Sequence, residues 1–450
     1  MIPLPPRPSV TGAEVTRVES GAGSRANAGG DSVTWSSLAG TDVSPGPRWV
    51  SFAVPVSTGA VLVPWCAGRT HVMLDEKDMQ ARPGPVVLDV PGDGREHRVS
   101  ILLDVSGYEH RVACGSAPRV GGRASSREEL VPFDFVSPHA AKGGGHAVLY
   151  VPPGHDVSRP AAVLVGLHPW NGSMWTYTAY EPLLVAARAA DVVLLFPSGL
   201  GNSLYTADAE DEAMRALDAL GEHVAVDPDR VTLWGASMGG AGATTIGFHH
   251  PDRFAAVVSL FGDSRYDLST YVRGILHDAV GAHRVNALDI VDNARNLPVW
   301  LVHGEDDHVS PIAQSAVLDR AMRAMHFTVT FDRVPGAGHE GRVVSQFAKR
   351  IVDDAVAARR VSAPSRVSYW SVRPGDGGAY GIRLTRQHAT GDAFFDLARE
   401  GETVHLVRAE NVRELHLPRG AFGLAPTATP AVVRDDASSG GVDVTWDAAP

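Results

Sequence analysis

The rhythm of apolar and polar positions changes three times along this chain. Between residues 31 and 120, short runs such as Trp49–Val54, Val86–Val90 and Val99–Val105 are punctuated by Gly and Pro. Spacing of that kind predicts a small β-sandwich. From about residue 131 to 360, fully apolar runs take over at Ala161–Leu167, Val192–Phe196, Val231–Trp234, Ala255–Leu260, Val299–Val302 and Phe327–Phe331. Phe133–Val136 and His146–Val151 read as an opening hairpin ahead of them. Helical stretches at Ala209–Leu220, Met238–His249, Ile312–Met325 and Val343–Ala358 fall between the strands. Strands apolar on both faces, alternating with helices, predict an α/β domain: a mostly parallel sheet with helices on both faces. After Arg359-Arg360 the helical rhythm stops. Residues 365–422 return to short strands and predict a second small β-domain, with 423–450 as a tail. Residues 1–30, rich in Pro, Gly, Ser and Ala, read as a flexible arm, and Pro118–Glu129 as a linker.

Composition narrows the class without choosing a function. At 450 residues the chain is too long for one core, and 44% hydrophobic with 20% charged residues describes an ordinary globular protein. A net charge of −11 argues against nucleic acid and anionic membrane as partners, since both demand basic surface. No apolar run is long enough to predict a membrane span. Met1–Pro8 offers no apolar signal core, so cytoplasmic residence is the default expectation and secretion stays open. The two cysteines, Cys66 and Cys114, read as buried thiols, because a bridge needs an oxidising compartment that the sequence does not announce.

The candidate chemistry begins where the apolar run Val231–Trp234 enters Gly235-Ala236-Ser237-Met238-Gly239 and then a small-residue helix. This is a G-x-S-x-G elbow in its strand–turn–helix setting, which exposes a serine hydroxyl above the sheet. A side chain at Gly235 or Gly239 would collide with the neighbouring strand or helix. A serine needs a base, and the base needs an orienting acid. His303-Gly304-Glu305-Asp306-Asp307 follows a late strand, and its H-G-x-x-D pattern favours Asp307 over Asp306 as the acid. Gly336-Ala337-Gly338-His339 follows the last strand and supplies the base. Oxyanion donors are expected at the backbone N–H groups of Met238 and Trp170, because Pro169 has no N–H to give.

Trp170, Trp175, Tyr177 and Tyr180 crowd the loop after the first parallel strand. Trp170, Asn171, Trp175 and Tyr266 are candidate pocket residues, and the insertion 264–297, with Tyr266, Tyr271 and His277, is a candidate lid. Other polar residues have plainer readings. His168 and His303 brace loops, His249 and His250 end a helix, and Glu210-Asp211-Glu212 forms a solvated first turn. No metal-ligand spacing and no phosphate-binding loop is present, so no cofactor is expected.

The stretches Val226–Gly240, His250-Pro-Asp-Arg-Phe-Ala-Ala-Val-Val and Pro335–His339 resemble the α/β-hydrolase superfamily over residues 131–360. More narrowly they resemble bacterial esterases grouped with polyhydroxybutyrate depolymerases, feruloyl esterases and the prolyl-oligopeptidase catalytic domain. The resemblance implies Ser237 as nucleophile, His339 as base and Asp307 as orienter. His168-Pro169-Trp170 departs from the commoner His-Gly. The expectation is a serine hydrolase cleaving a small-molecule or polymer-derived ester through an acyl-enzyme. One alternative is a serine peptidase of prolyl-oligopeptidase-like type. Such an enzyme ordinarily carries a propeller of about 40–45 residues per blade, more than the residues before 131 provide. The other alternative is a catalytically inactive hydrolase scaffold used for binding.

Overall fold

The computed structural model describes residues 46–54, 60–63, 69–75, 77–79, 86–105, 119–120, 130–266, 285–373, 375–428, 430–435 and 441–448. The expected arm 1–30, Cys66, Cys114, Tyr271 and His277 lie outside these residues.

The N-terminal strands are β1 (Gly46–Val54), β2 (Ala60–Val63), β3 (Arg69–Leu74), β4 (Lys77–Asp78), β5 (Val86–Asp89), β6 (His97–Val105) and β7 (Arg119–Val120). They pair antiparallel into two sheets, ordered β1-β6-β3-β4 and β5-β2-β7. Val72, Leu88 and Val99 are fully buried there, as the alternating pattern requires.

The central sheet has eight strands. They are β8 (Leu130–Asp134), β9 (His146–Tyr150), β10 (Ala161–Leu167), β11 (Val193–Pro197), β12 (Val226–Ala236), β13 (Ala256–Leu260), β14 (Val299–Gly304) and β15 (Val329–Val334). Their spatial order is β15-β14-β13-β12-β10-β11-β9-β8. The opening hairpin β8–β9 is antiparallel, β9 joins β11 antiparallel, and every later pairing is parallel. Among the described residues, five α-helices flank the sheet: α1 (Glu181–Ala190), α2 (Asp208–Leu220), α3 (Met238–His249), α4 (Ala313–Ala324) and α5 (Arg342–Ala357).

Two apolar clusters record which helix covers which face. Val163, Val165 and Leu167 of β10 pack with residues of α2, α3 and α4, such as Leu217, Ile246 and Met322. The intervening Ala162 and Leu164 pack on the other face with Leu183 of α1 and Ile351 of α5. The period-two alternation of a strand thus feeds two cores, which is why its sequence reads as uniformly apolar. Helix α3 is buried at all twelve positions and carries no polar face. Strand order, helix layers and the β12–α3 turn make this an α/β-hydrolase fold.

Beyond α5, the strands β16 (Arg366–Ser371), β17 (Arg383–Arg386), β18 (Ala393–Glu400), β19 (Thr403–Glu410), β20 (Val412–Leu417), β21 (Ala431–Arg434) and β22 (Asp443–Trp446) form two further sheets. Their orders are β16-β18-β19-β21 and β17-β20-β22. The stretch read as a tail therefore contributes two strands, each added in parallel to an existing edge. Its apolar positions, Val432 and Val444 among them, are too sparse to stand out in sequence, and an edge strand needs little more.

This C-terminal unit docks on the start of α2 and the end of α3. Tyr369 Oη donates to the His249 carbonyl at 3.0 Å, and Asn293 bridges the Phe248 carbonyl and the Trp370 N–H. Arg373 donates through both terminal nitrogens to Glu210, which also meets His249 Nδ1 at 2.9 Å and His250 Nε2 at 2.8 Å. Glu210 is 2% exposed and Glu212 fully buried, so the expected solvated first turn is corrected. Their neighbours explain why. Glu210 is enclosed by the His249 and His250 imidazoles and the Arg373 guanidinium, while Glu212 accepts from Ser137 Oγ and the Gly145 N–H.

Burial raises the Glu210 carboxyl, but the His249 charge and bonds from His249, His250 and Arg373 outweigh it and hold the group well below its ordinary 4.5. A depressed carboxylate stabilises the fold fully above its ordinary pKa and loses that contribution as pH falls through the folded value. The urea midpoint is therefore expected to decline below pH 4.5, and Glu210→Gln to lack that component. Arg373→Ala, which strips a partner from a buried charge, is expected to destabilise by about 3 kcal/mol at pH 7. An unchanged midpoint would contradict the docking role.

Candidate active site

The site lies at the carboxyl edge of the parallel strands, where an open α/β sheet leaves its loops free to converge. Ser237 stands alone between the last residue of β12 and the first of α3, at φ 56° and ψ −122°. A side chain rarely adopts such a backbone, and the surroundings enforce it. The Ser237 N–H donates to the Leu260 carbonyl of β13, and its own carbonyl accepts the Ala241 N–H of α3. A Cβ at Gly239 would lie 1.8 Å from the Leu167 carbonyl oxygen, and one at Gly235 would lie 2.3 Å from the Gly239 oxygen. Strand, turn and helix close on each other with no room for a methyl group.

His339 and Asp307 come from loops stitched to each other. The Asp306 N–H donates to the Ala337 carbonyl, and the Glu305 N–H to that of Val334. Gly304 is required at this crossing, since a Cβ would sit 2.3 Å from the Ala337 oxygen. His339 Nε2 is 2.7 Å from Ser237 Oγ, and its Nδ1 is 2.7 Å from Asp307 Oδ2. The other Asp307 oxygen accepts the N–H groups of Val309 and Ser310 at 2.9 Å each. Asp307 is 5% exposed, whereas Asp306 faces solvent. Burial raises the Asp307 carboxyl, yet contacts with His303 and His339 and the Ser310 N–H hold it well below the usual carboxylate range. The group is therefore an anion against Nδ1, which leaves Nε2 as the acceptor toward Ser237 when the ring is neutral.

The loop where the second oxyanion donor is expected follows β10. Met238 opens α3, so no residue of its own helix accepts its N–H. The Trp170 N–H likewise makes no hydrogen bond among the described residues. Asn171 takes a left-handed backbone (φ 57°), and its amide and side chain pair reciprocally with Asn202, both bonds 2.6 Å long. His168 is buried between the carbonyls of Pro169 and Ser198, 2.9 Å from each, and so ties this loop to the one after β11. Burial pushes its pKa down, and the two carbonyls partly oppose that.

The pocket residues expected from sequence divide. Trp170 is half-buried and Asn171 exposed at the loop. Trp175 and Tyr266 are instead 6% and 3% exposed and belong to the apolar clusters, where they pack the core. Of the expected lid, Ala287–Asn296 forms a 3-10 segment packed on the core and against β16, and residues 267–284 lie outside the described set.

Sequence reasoning missed Phe261, whose ring meets the His339 imidazole edge-on with centroids 4.7 Å apart. It also missed Ser310, which donates its N–H to Asp307 and its hydroxyl to the buried Asp263. Position alone was the available signal: both lie in the loops that follow the carboxyl ends of β13 or β14. Among the described residues, no group of three or more His, Cys, Asp or Glu is placed to hold a metal ion, and no helix is long and apolar enough to cross a membrane.

Residues 201–356 match the prolyl oligopeptidase family, a stretch that contains Ser237, Asp307 and His339. No curated protein sequence matches the chain. Among solved structures, the S-formylglutathione hydrolase of Agrobacterium tumefaciens aligns at 17% identity and a TM-score of 0.44, covering 51% of this chain and 95% of that one. FphF, a fluorophosphonate-binding serine hydrolase of Staphylococcus aureus, aligns at 17% identity and 0.44, covering 50% and 98%. A ferulic acid esterase aligns at 16% identity and 0.43, covering 51% and 97%. At these scores the fold assignment rests on strand order and the elbow, not on the likeness.

Gly239→Ala tests the close approach on which the elbow depends. Forcing a methyl group against the Leu167 carbonyl is expected to destabilise the protein by about 3 kcal/mol or more. Chemical denaturation would read this directly, and a wild-type midpoint would rule the contact out.

Proposed function

We propose that this serine hydrolase cleaves carboxylic esters through an acyl-enzyme, with Ser237 as nucleophile, His339 as general base and Asp307 as its orienter. The unbroken chain Ser237 Oγ–His339–Asp307, with both bonds 2.7 Å, carries the reading. His339 Nε2 takes the hydroxyl proton as Ser237 attacks the carbonyl, and the buried Asp307 carboxylate stabilises the imidazolium that forms. The N–H groups of Met238 and Trp170 receive the oxyanion. His339 then returns the proton to the departing alcohol, and water attacks the acyl-enzyme by the same route in reverse.

The esterase-like motifs around Ser237 and His339 favour an ester over an amide. The family match over residues 201–356 is the specific observation in favour of peptide cleavage. Against it stands only the architecture of the described strands ahead of the central sheet, which pair antiparallel into two small sheets.

A fluorophosphonate is expected to label the wild-type protein, and Ser237→Ala to abolish labelling. Labelling that survives in Ser237→Ala would move the nucleophile to another residue, and a wild-type protein that is never labelled would favour an inactive binding scaffold. Against short p-nitrophenyl esters, Ser237→Ala and His339→Ala are expected to lower kcat by about 10⁴-fold or more, and Asp307→Asn by about 10⁴-fold. Faster turnover of aminoacyl anilides than of esters would establish the peptidase reading instead.

A further inference from the structure

Strands β10 and β12 run side by side in parallel register as far as the pair Leu167–Gly235. Beyond that pair the chains part, β10 into the loop carrying Trp170 and β12 into the turn carrying Ser237. Where they part, a side chain stands between them. Tyr177 Oη accepts the Ala236 N–H at 2.9 Å and donates to the Leu167 carbonyl at 2.9 Å. Both bonds are buried, and Tyr177 is 1% exposed. Its ring is wedged against Trp234 and Phe196, with centroids 4.3 and 6.0 Å away, so the hydroxyl has little freedom to move. Burial first, and then Tyr180, push its pKa well above the ordinary range, so the oxygen keeps its proton and stays a donor.

The two backbone groups joined this way are significant. Ala236 immediately precedes the nucleophile, and Leu167 immediately precedes the oxyanion loop. The Leu167 carbonyl is also the group on which Gly239 leans. Nucleophile, donor loop and donor helix therefore meet at one carbonyl, and a phenol oxygen sets the gap there.

We propose that Tyr177 is a positioning residue for the hydrolytic reaction, its hydroxyl fixing the separation between Ser237 and the oxyanion donors. This rests on the reading of the site given above. In Tyr177→Phe the ring volume is kept while two buried backbone groups lose their shared partner. The strands then close up or admit water, and either displaces Ser237 relative to the Trp170 and Met238 N–H groups. Stabilisation of a developing oxyanion is sensitive to such a shift, whereas ground-state binding is not.

The test compares wild type, Tyr177→Phe and Tyr369→Phe on p-nitrophenyl acetate, together with inhibition by a phenylboronic acid, whose adduct with serine mimics the oxyanion. Tyr369→Phe removes another buried hydroxyl bond, in the C-terminal unit, and controls for stability loss alone. Tyr177→Phe is expected to lower kcat about tenfold or more with KM within about twofold, and to weaken boronate inhibition by a similar factor. Amide exchange at Ala236 is expected to accelerate, and Tyr369→Phe to keep wild-type kcat. Wild-type kcat and boronate affinity in Tyr177→Phe would overturn the proposal while leaving the hydrolase reading intact. A wild-type protein inert to both ester and fluorophosphonate would instead overturn the hydrolase reading, and the proposal with it. If Tyr177→Phe does not fold, 4-aminophenylalanine at 177 keeps a donor to Leu167 but accepts poorly from Ala236. It is expected to show the same lowered kcat at unchanged KM, and a wild-type kcat there would overturn the proposal.

Discussion

The turn from β12 into α3 passes through a single residue, and the rest of the domain is arranged around that constraint. Ser237 is held at positive φ because the helix begins at once and leans on the Leu167 carbonyl of the neighbouring strand. Such close packing needs glycine at 235 and 239. It also forces α3 to lie buried along its whole length, so its sequence shows no alternation between an apolar and a polar side. With the helix embedded, its N-terminal amide points toward the carboxyl edge of the sheet. The loops after β10, β14 and β15 reach the same edge, because parallel strands all end there.

Buried acids recur as the means of fastening separate segments. Asp307 collects two backbone amides on one oxygen and His339 on the other, so a loop carboxylate becomes a fixed point. Glu210 draws the two histidines that end α3 toward Arg373 of the C-terminal unit. Each is an anion removed from water, and each is tolerated because cations or amide donors surround it. Since α3 has 12 residues and rises about 1.5 Å per residue, the Glu210 contacts lie about 18 Å from Ser237. The described contacts of the C-terminal unit with His249 and Glu210 thus fall at the foot of α3.

Much of the fold was legible, and the residues that were not share a cause. β10 and α3 occupy the spans their apolar patterns predict, because uninterrupted burial leaves uniform sequences. Helix α1 was not picked out: its buried face is only Leu183, Ala186 and Ala187, and small alanines carry little signal. β15 runs Val329–Val334 where the apolar pattern marked residues 327–331, because an edge strand is apolar on one side only. The acidic start of α2 reads as solvated in sequence, since nothing local shows that His249, His250 and Arg373 will enclose Glu210. Trp175 and Tyr266 look like pocket walls for the same reason: an aromatic side chain has one identity whether it faces a cleft or a core.

By itself the sequence determined where strands and helices alternate and the elbow's need for glycine. It also determined that one serine, one late aspartate and one last-loop histidine follow in order. These are properties of neighbouring residues and of burial period, and a linear chain displays them directly. The tertiary structure set Asp307, the acid that the H-G-x-x-D pattern favours, against His339, and it alone decided that Phe261 backs the imidazole. It decided as well that Glu210 is sealed inside, and that Tyr177 spans the gap between two diverging strands. Each of these depends on groups far apart in sequence arriving within a few ångströms. Such an approach is set by how layers pack, and no local pattern of side chains encodes it.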